Sequence, residues 1–257
     1  MKQIICDTNV WYDLPKNFTV EGSKLIPTFC NTFELTHTIK SEEYFKTAKK
    51  AIDTLHYGGY LENTYFLNPF AHLMYLDSGK GIFLESENMI IEVFKMIAEN
   101  KLEKIELEKR TKPFIKDAEL KEISNLFNKV ISDKDNINME NNKDSAIEWT
   151  KKLITLLVSR WAESIGKKYY MKKSFDWNQI DFFLNTKALF IRKVVFNNMK
   201  YSSKDLFDLW NMVYVKPTDL YWTWEGVNRQ TGKINNRLRW HNLVIEAGME
   251  DYLFLPK

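Results

Sequence analysis

Near the start of the chain the apolar tripeptide Ile4-Ile5-Cys6 runs straight into Asp7, and Thr8 and Asn9 then lead into the apolar pair Val10-Trp11. The order reads as a short buried strand that delivers a carboxylate at its C-terminal end and turns at once into a helix. Strands buried on both faces belong to parallel sheets, whose cover is supplied by helices. In open sheets of that kind ligands sit in the crevice outside the carboxyl ends of the strands. The stretch 3–14 therefore predicts an α/β protein and makes Asp7 the first candidate for chemistry.

The rest of the chain can be placed around that strand. Residues 15–23 are polar and predict a loop, and residues 25–29 predict a second strand. A helix is expected over 33–55, where Phe33, His37, Tyr44, Ala48, Ala51 and Leu55 fall near helical spacing, and Gly58-Gly59 ends it. Residues 60–79 read as irregular, with Asn68-Pro69 and Asp77-Ser78-Gly79 as turns. Further helices are expected over 84–109, 114–131, 146–165 and 179–199, with 133–144 a polar connection rich in Asn and Asp. Ser202 or Ser203 can cap a helix from about residue 204. Residues 220–224 read as a strand, 238–247 as a last helix and 252–255 as a terminal edge strand. The expected architecture is a parallel sheet flanked by helices, built from 1–79 and 200–257, with 80–199 inserted as an all-helical lobe.

Composition narrows the function classes. Lys and Arg total 37 against 34 Asp and Glu, a formal charge of +3, which by itself does not point to nucleic acid. No apolar run approaches the ~20 residues of a membrane span, so no membrane partner is expected. Cys6 and Cys30, one at the end of each of the first two expected strands, read as buried reduced thiols of a cytoplasmic protein. The four histidines lack metal-ligand spacing, and no nucleophile elbow, phosphate loop or dinucleotide fingerprint occurs.

Acids remain. Asp7 is followed by Glu34 on the segment after the second strand, by Asp205 and Asp208 at the opening of a late helix, and by Glu225 two residues beyond Thr223. An N-terminal strand ending in Asp-Thr-Asn, with further acids in this order, resembles the PIN domain family of metal-dependent nucleases over roughly residues 1–60 and 200–257. The resemblance implies a metal-dependent endonuclease, with RNA as substrate and Mg²⁺ or Mn²⁺ bound by Asp7, Glu34, Asp205, Asp208 and Glu225. Asp205 matches the family's third acid by its place at the helix start, and Glu225 stands where the family usually has Asp. Thr8 and Asn9 match the family motif, and with Thr223 they are expected to orient carboxylates. Oxygen ligands that leave waters on a hard cation suit phosphodiester hydrolysis.

Each acid also has a plain structural reading. Asp7 can cap the helix that follows it, and Glu34 and Asp205 can be first-turn acids favoured by the helix dipole. Cations interleaved with aromatics suit a single strand of nucleic acid, cations on phosphates and rings on bases. Arg229, Lys233, Arg237, Arg239, Trp240 and His241 form such a cluster close after Glu225, and Lys167, Lys168, Tyr169, Tyr170, Lys172 and Lys173 form another. The helical insertion would shape a substrate channel or bind a regulatory protein, as in a toxin or defence-system effector. The alternative is a catalytically weak PIN-like module for binding or assembly, kept open by Glu225. A structure-specific DNA nuclease would need more acids. The oligomeric state is not legible in the sequence.

Overall fold

A computed structural model describes residues 1–15, 18–37, 42–65, 67–80, 85–99, 101, 125, 127, 129, 138–224 and 239–256. Three strands, β1 (Lys2–Cys6), β2 (Ser23–Ile26) and β3 (Leu220–Trp222), form one parallel sheet in the order β2-β1-β3. Ile4 sits between Leu25 and Leu220, and Ile5 between Ile26 and Tyr221. The strand that ends in Asp7 is thus the centre of the sheet.

Side chains alternate across a strand, so this register sorts the apolar residues into two sets. Ile5, Ile26 and Tyr221 enter one core, while Ile4, Cys6, Leu25 and Trp222 enter a second. The second is covered by α1 (Thr8–Asp13), α3 (Glu42–Tyr57) and α5 (Glu85–Ala98), through Trp11, Ile52, Leu55, Phe94 and Ile97. The first is covered by α4 (Pro69–Ser78), α6 (Lys143–Ser164), α7 (Asp181–Asn197), α8 (Ser203–Asn211) and α9 (Arg239–Glu246). Helix α2 (Phe29–His37) lies at the seam, giving Cys30 to one core and Leu35 to the other. The protein is mixed α/β, a small parallel sheet with helices on both faces.

The described regular elements of 80–199 are all helices, joined by turns and by the irregular stretch 165–176, and none of its described residues forms a strand. Its helices are not set apart from the sheet. Helix α5 fills the second core, and α6 and α7 fill the first, where Phe182 meets Tyr221 at 5.5 Å between ring centroids. A parallel sheet must bury both faces, and these helices supply much of that cover. The described helices of 80–199 therefore pack directly on the sheet.

Other differences are local. The second strand stops at Ile26, and Cys30 lies inside α2 rather than at a strand end. The single helix expected over 33–55 is two, α2 and α3. Residues 60–79 contain α4: the Asn68 side chain accepts from the Phe70 and Ala71 backbone N–H groups at 3.0 Å, Pro69 opens the helix, and Gly79 ends it at φ 72°. The residues read as turn signals are its two caps. Residues 252–255 make one bridge, Leu253 to Tyr221, and no strand. The helix expected over 114–131 lies outside the described residues except for 125, 127 and 129, which are helical.

Candidate active site

Asp7 stands at the C-terminal end of β1, is only 4% exposed and caps α1. Its Oδ1 accepts from the Thr8 backbone N–H at 2.8 Å. Its Oδ2 accepts from Asn9 Nδ2 at 2.7 Å and from the Thr223 hydroxyl at 2.9 Å. Asn9 is held in turn, because its Oδ1 accepts from the Trp224 backbone N–H at 2.8 Å. Thr8 through its backbone N–H, and Asn9 and Thr223 through their side chains, thus hold the Asp7 carboxylate, and they tie the end of β1 to the end of β3.

A second buried network lies beside the first. Asn31, fully buried on α2, accepts at Oδ1 from the Thr28 backbone N–H at 2.8 Å and from Trp11 Nε1 at 3.3 Å. Its Nδ2 donates to the Thr8 hydroxyl at 3.2 Å. The Thr28 hydroxyl donates to Asn211 Oδ1 at 2.6 Å, and Asn211 Nδ2 donates to the Cys6 carbonyl at 3.4 Å. These bonds fasten α1, α2 and α8 to the carboxyl ends of the strands. Glu34 lies three residues beyond Asn31, and Asp208 three before Asn211, so each acid shares a helix face with an anchored amide. Phe33 and Phe207 brace the two helices at 5.1 Å between ring centroids.

Cys30 reports the electrostatics. Burial raises its thiol well above the ordinary range, and the carboxylates of Glu34, Asp208 and Asp7 add to the rise, in that order. Asp7, Glu34 and Asp208 thus lie close enough to act on one buried point, with Asp208 6% exposed and Glu34 half-buried. The thiol stays protonated and makes no thiolate ligand. Among the described residues no three His, Cys, Asp or Glu side chains stand close enough to enclose a cation together.

Asp205 is differently engaged. Its Oδ2 accepts from the Ser202 backbone N–H at 2.6 Å and the Ser202 hydroxyl at 2.9 Å, and the Ser202 hydroxyl accepts from the Asp205 N–H, a capping box that starts α8. Of the two late acids, Asp208 is the one whose charge acts on Cys30.

Glu225, Arg229, Lys233 and Arg237 lie outside the described residues, as does the side chain of Arg239. Trp240 and His241 are described, and their placement differs from the nucleic-acid contact expected of them. Both are fully buried, because the side of α9 that carries Leu243 and Val244 turns them into the core as well. Trp240 stacks on Phe190 at 6.0 Å. His241 Nε2 lies 3.3 Å from the Thr223 carbonyl, and burial lowers its pKa, so it backs Thr223 as a neutral ring. Neither ring offers a face to a strand.

Asn31, Thr28 and Asn211 were not among the expected site residues. The available signal is an uncharged polar residue inside an apolar run, as Asn211 is between Trp210 and Met212-Val213-Tyr214. Such a residue, if buried, must find hydrogen-bond partners.

No protein-family model matches the sequence, and no curated protein and no solved structure matches the chain.

Proposed function

We propose that the protein is a PIN-like metal-dependent endonuclease that hydrolyses phosphodiester bonds in RNA, with Asp7, Glu34 and Asp208 as its described acids. The observation that carries the reading is Asp7: a buried carboxylate at the end of the central strand, held by Thr8, Asn9 and Thr223, with Glu34 and Asp208 near the same buried thiol. Like charges gathered in a buried place repel, and a cation relieves the cost.

The donor set suits Mg²⁺ or Mn²⁺, since hard cations take carboxylate oxygens and Mg²⁺ keeps several waters while using one or two carboxylates. Asp7 and one of Asp208 and Glu34 are the residues that would hold it, with waters in its remaining positions. Bound there, such an ion would supply an activated water and neutralise the leaving oxygen. Thr8, Asn9 and Thr223 fix the direction of the Asp7 oxygens, and the Asn31–Thr28–Asn211 network fixes the helices that bring Glu34 and Asp208. RNA follows from the family resemblance alone.

A second reading, a catalytically weak binding or assembly module, is favoured by one observation: no three described acids share a cation's reach. The Asp7→Asn variant separates the two. Its shape is nearly unchanged, but its new amide group faces a donor in either orientation, the Thr8 N–H or Asn9 Nδ2, so one hydrogen bond is lost and some stability with it. Loss of Mg²⁺- or Mn²⁺-dependent cleavage across a panel of RNAs, by a variant whose melting curve shows it still folded at the assay temperature, is the expected result. Equal cleavage by parent and variant would refute the nuclease reading, and no cleavage by either would favour the binding module.

A further inference from the structure

Helix α6 turns one side into the core and leaves the other as the floor of an open groove of about 830 Å³, bordered by Tyr170, Lys173 and Trp177. Its volume lies within the roughly 300–1,000 Å³ of ligand clefts. Four cations line it, Lys151, Lys152, Arg160 and Lys173, against Glu148 and Glu163. Both acids are engaged along the helix, Glu148 with Lys151 at 2.6 Å and Glu163 with Arg160 at 3.0 Å. Among the described residues Lys152 and Lys173 have no ion-pair partner, so the groove keeps positive charge.

Two rings stand among these cations. Lys151 Nζ lies 5.9 Å from the Trp177 ring, and Lys168 Nζ lies 6.0 Å from the Tyr170 ring. Tyr170 is 65% exposed. It is nonetheless not a loose side chain on a loose loop. Tyr169 donates its hydroxyl to the Asp77 carboxylate, the Lys172 backbone N–H donates to Asp77 Oδ2 at 3.2 Å, and Lys172 Nζ donates to the Asp77 carbonyl at 2.6 Å. The residues on either side of Tyr170 are fastened to the end of α4, and the ring is held out to solvent.

We infer that this groove binds single-stranded nucleic acid, apart from the acids around Cys30. Fixed aromatic faces stack unpaired bases and the flanking cations meet phosphates, a combination that serves a single strand and not a duplex, whose bases are already stacked. From Lys152 to Arg160 the helix advances about 12 Å at 1.5 Å per residue, a length on the scale of a few nucleotides. An acidic peptide would use the cations but gives the presented Tyr170 ring no role. The inference does not rest on hydrolysis at Asp7, since it concerns affinity.

The test uses the full chain in EDTA, which prevents metal-dependent cleavage, with fluorescent oligouridylate and oligothymidylate of about 12 nucleotides. A blunt RNA duplex and polyglutamate are the competitors. Tyr170→Ala should weaken binding of the single strands roughly 5-fold or more, the loss expected for one stacked base. Lys173→Gln should lower the slope of log affinity against log salt by about 0.7, one phosphate contact on a single strand. Photocrosslinks from 4-thiouridine should map to the groove, to residues 148–163 or 170–177. Both substitutions are at exposed side chains, and a melting curve checks the fold. Tighter binding of either single strand than of the duplex supports the groove, and the stronger of the two assigns RNA or DNA. Unchanged affinity in both variants, crosslinks confined elsewhere, or displacement by polyglutamate as effective as by single strand would overturn it. Failure of the Asp7→Asn test with a weakened Tyr170→Ala protein would sink the nuclease alone, and the reverse pattern the groove alone.

Discussion

Lys187 offers a quantitative test of how the core is balanced. It lies on α7 with 0% exposure, and its Nζ has no hydrogen-bond partner among the described residues. Burial pushes its pKa down to about 7. Against an ordinary value near 10.4, a drop of that size corresponds to roughly 4–5 kcal/mol at 1.36 kcal/mol per unit. Three rings return part of it, those of Trp210 at 4.2 Å, Phe183 at 5.2 Å and Phe127 at 5.6 Å, and desolvated cation–π contacts are worth about 2 kcal/mol. Lys187→Met keeps an unbranched apolar stem in the same space without the amine. It should therefore stabilise the protein by about 2 kcal/mol at neutral pH, the remainder after the rings are counted. The sign with pH is fixed by the lowered value: between the folded and unfolded pKa the unfolded chain binds more protons, so the parent gains stability as pH rises through that window. The advantage of Met should shrink steadily between pH 7 and 10, as the unfolded chain's amine comes to lose its proton as well. His72, pushed down to about 4, titrates below that window, and the raised Cys6 and Cys30 thiols affect parent and variant alike. Urea unfolding at several pH values measures the difference. A variant less stable than the parent at pH 7, or a gap that does not close with pH, would refute the reasoning.

Two further outcomes follow from the site. Asn31→Ala leaves the Thr28 N–H and Trp11 Nε1 without their shared acceptor in a buried place, at about 1–3 kcal/mol for each orphaned group, so the thermal midpoint should fall by several degrees; a change within about 0.5 kcal/mol would show that the network is not holding α2. Asp205→Asn should cost about 1 kcal/mol through the capping box and spare cleavage, whereas Asp208→Asn should abolish cleavage; melting curves and RNA cleavage by the two variants check both, and the reverse assignment would return Asp205 to the site.

What could be read from the sequence was what periodicity and strand-end chemistry determine. Ile4-Ile5-Cys6 as a buried strand, Asp7 at its end, and Leu220 to Trp222 as another strand of the same parallel sheet all follow from apolar runs bounded by turn residues. Helix caps were harder, because Asn68-Pro69 and Ser78-Gly79 carry the same signals at a helix's two ends as in two separate turns. The basic and aromatic run at 239–241 misled for a different reason: Trp240 and His241 interleave with charge in sequence, while the helix turns them inward. Which of Asp205 and Asp208 belongs with Asp7 depends on three-dimensional neighbours that no spacing specifies. The helices of 80–199 were legible as helices, but their place on both faces of the sheet was not.

The buried amides bear on how the acids come to stand where they do. Carboxylates repel one another, so nothing in Asp7, Glu34 and Asp208 themselves would draw α2 and α8 toward the end of β1. The attraction comes from elsewhere. Asn31 binds α2 to Thr8 and Trp11 of α1, Asn211 binds α8 to the Cys6 carbonyl, and the Thr28 hydroxyl joins the two. Each bond is fully buried, where leaving a polar group unpaired is costly, so the network has one satisfied arrangement and resists displacement. Because Glu34 and Asp208 ride three residues from the anchored amides, that arrangement sets their positions against the repulsion. Asn31, Thr28 and Asn211 are therefore positioning residues, and the acids are held in place by neutral hydrogen bonds beneath them rather than by each other.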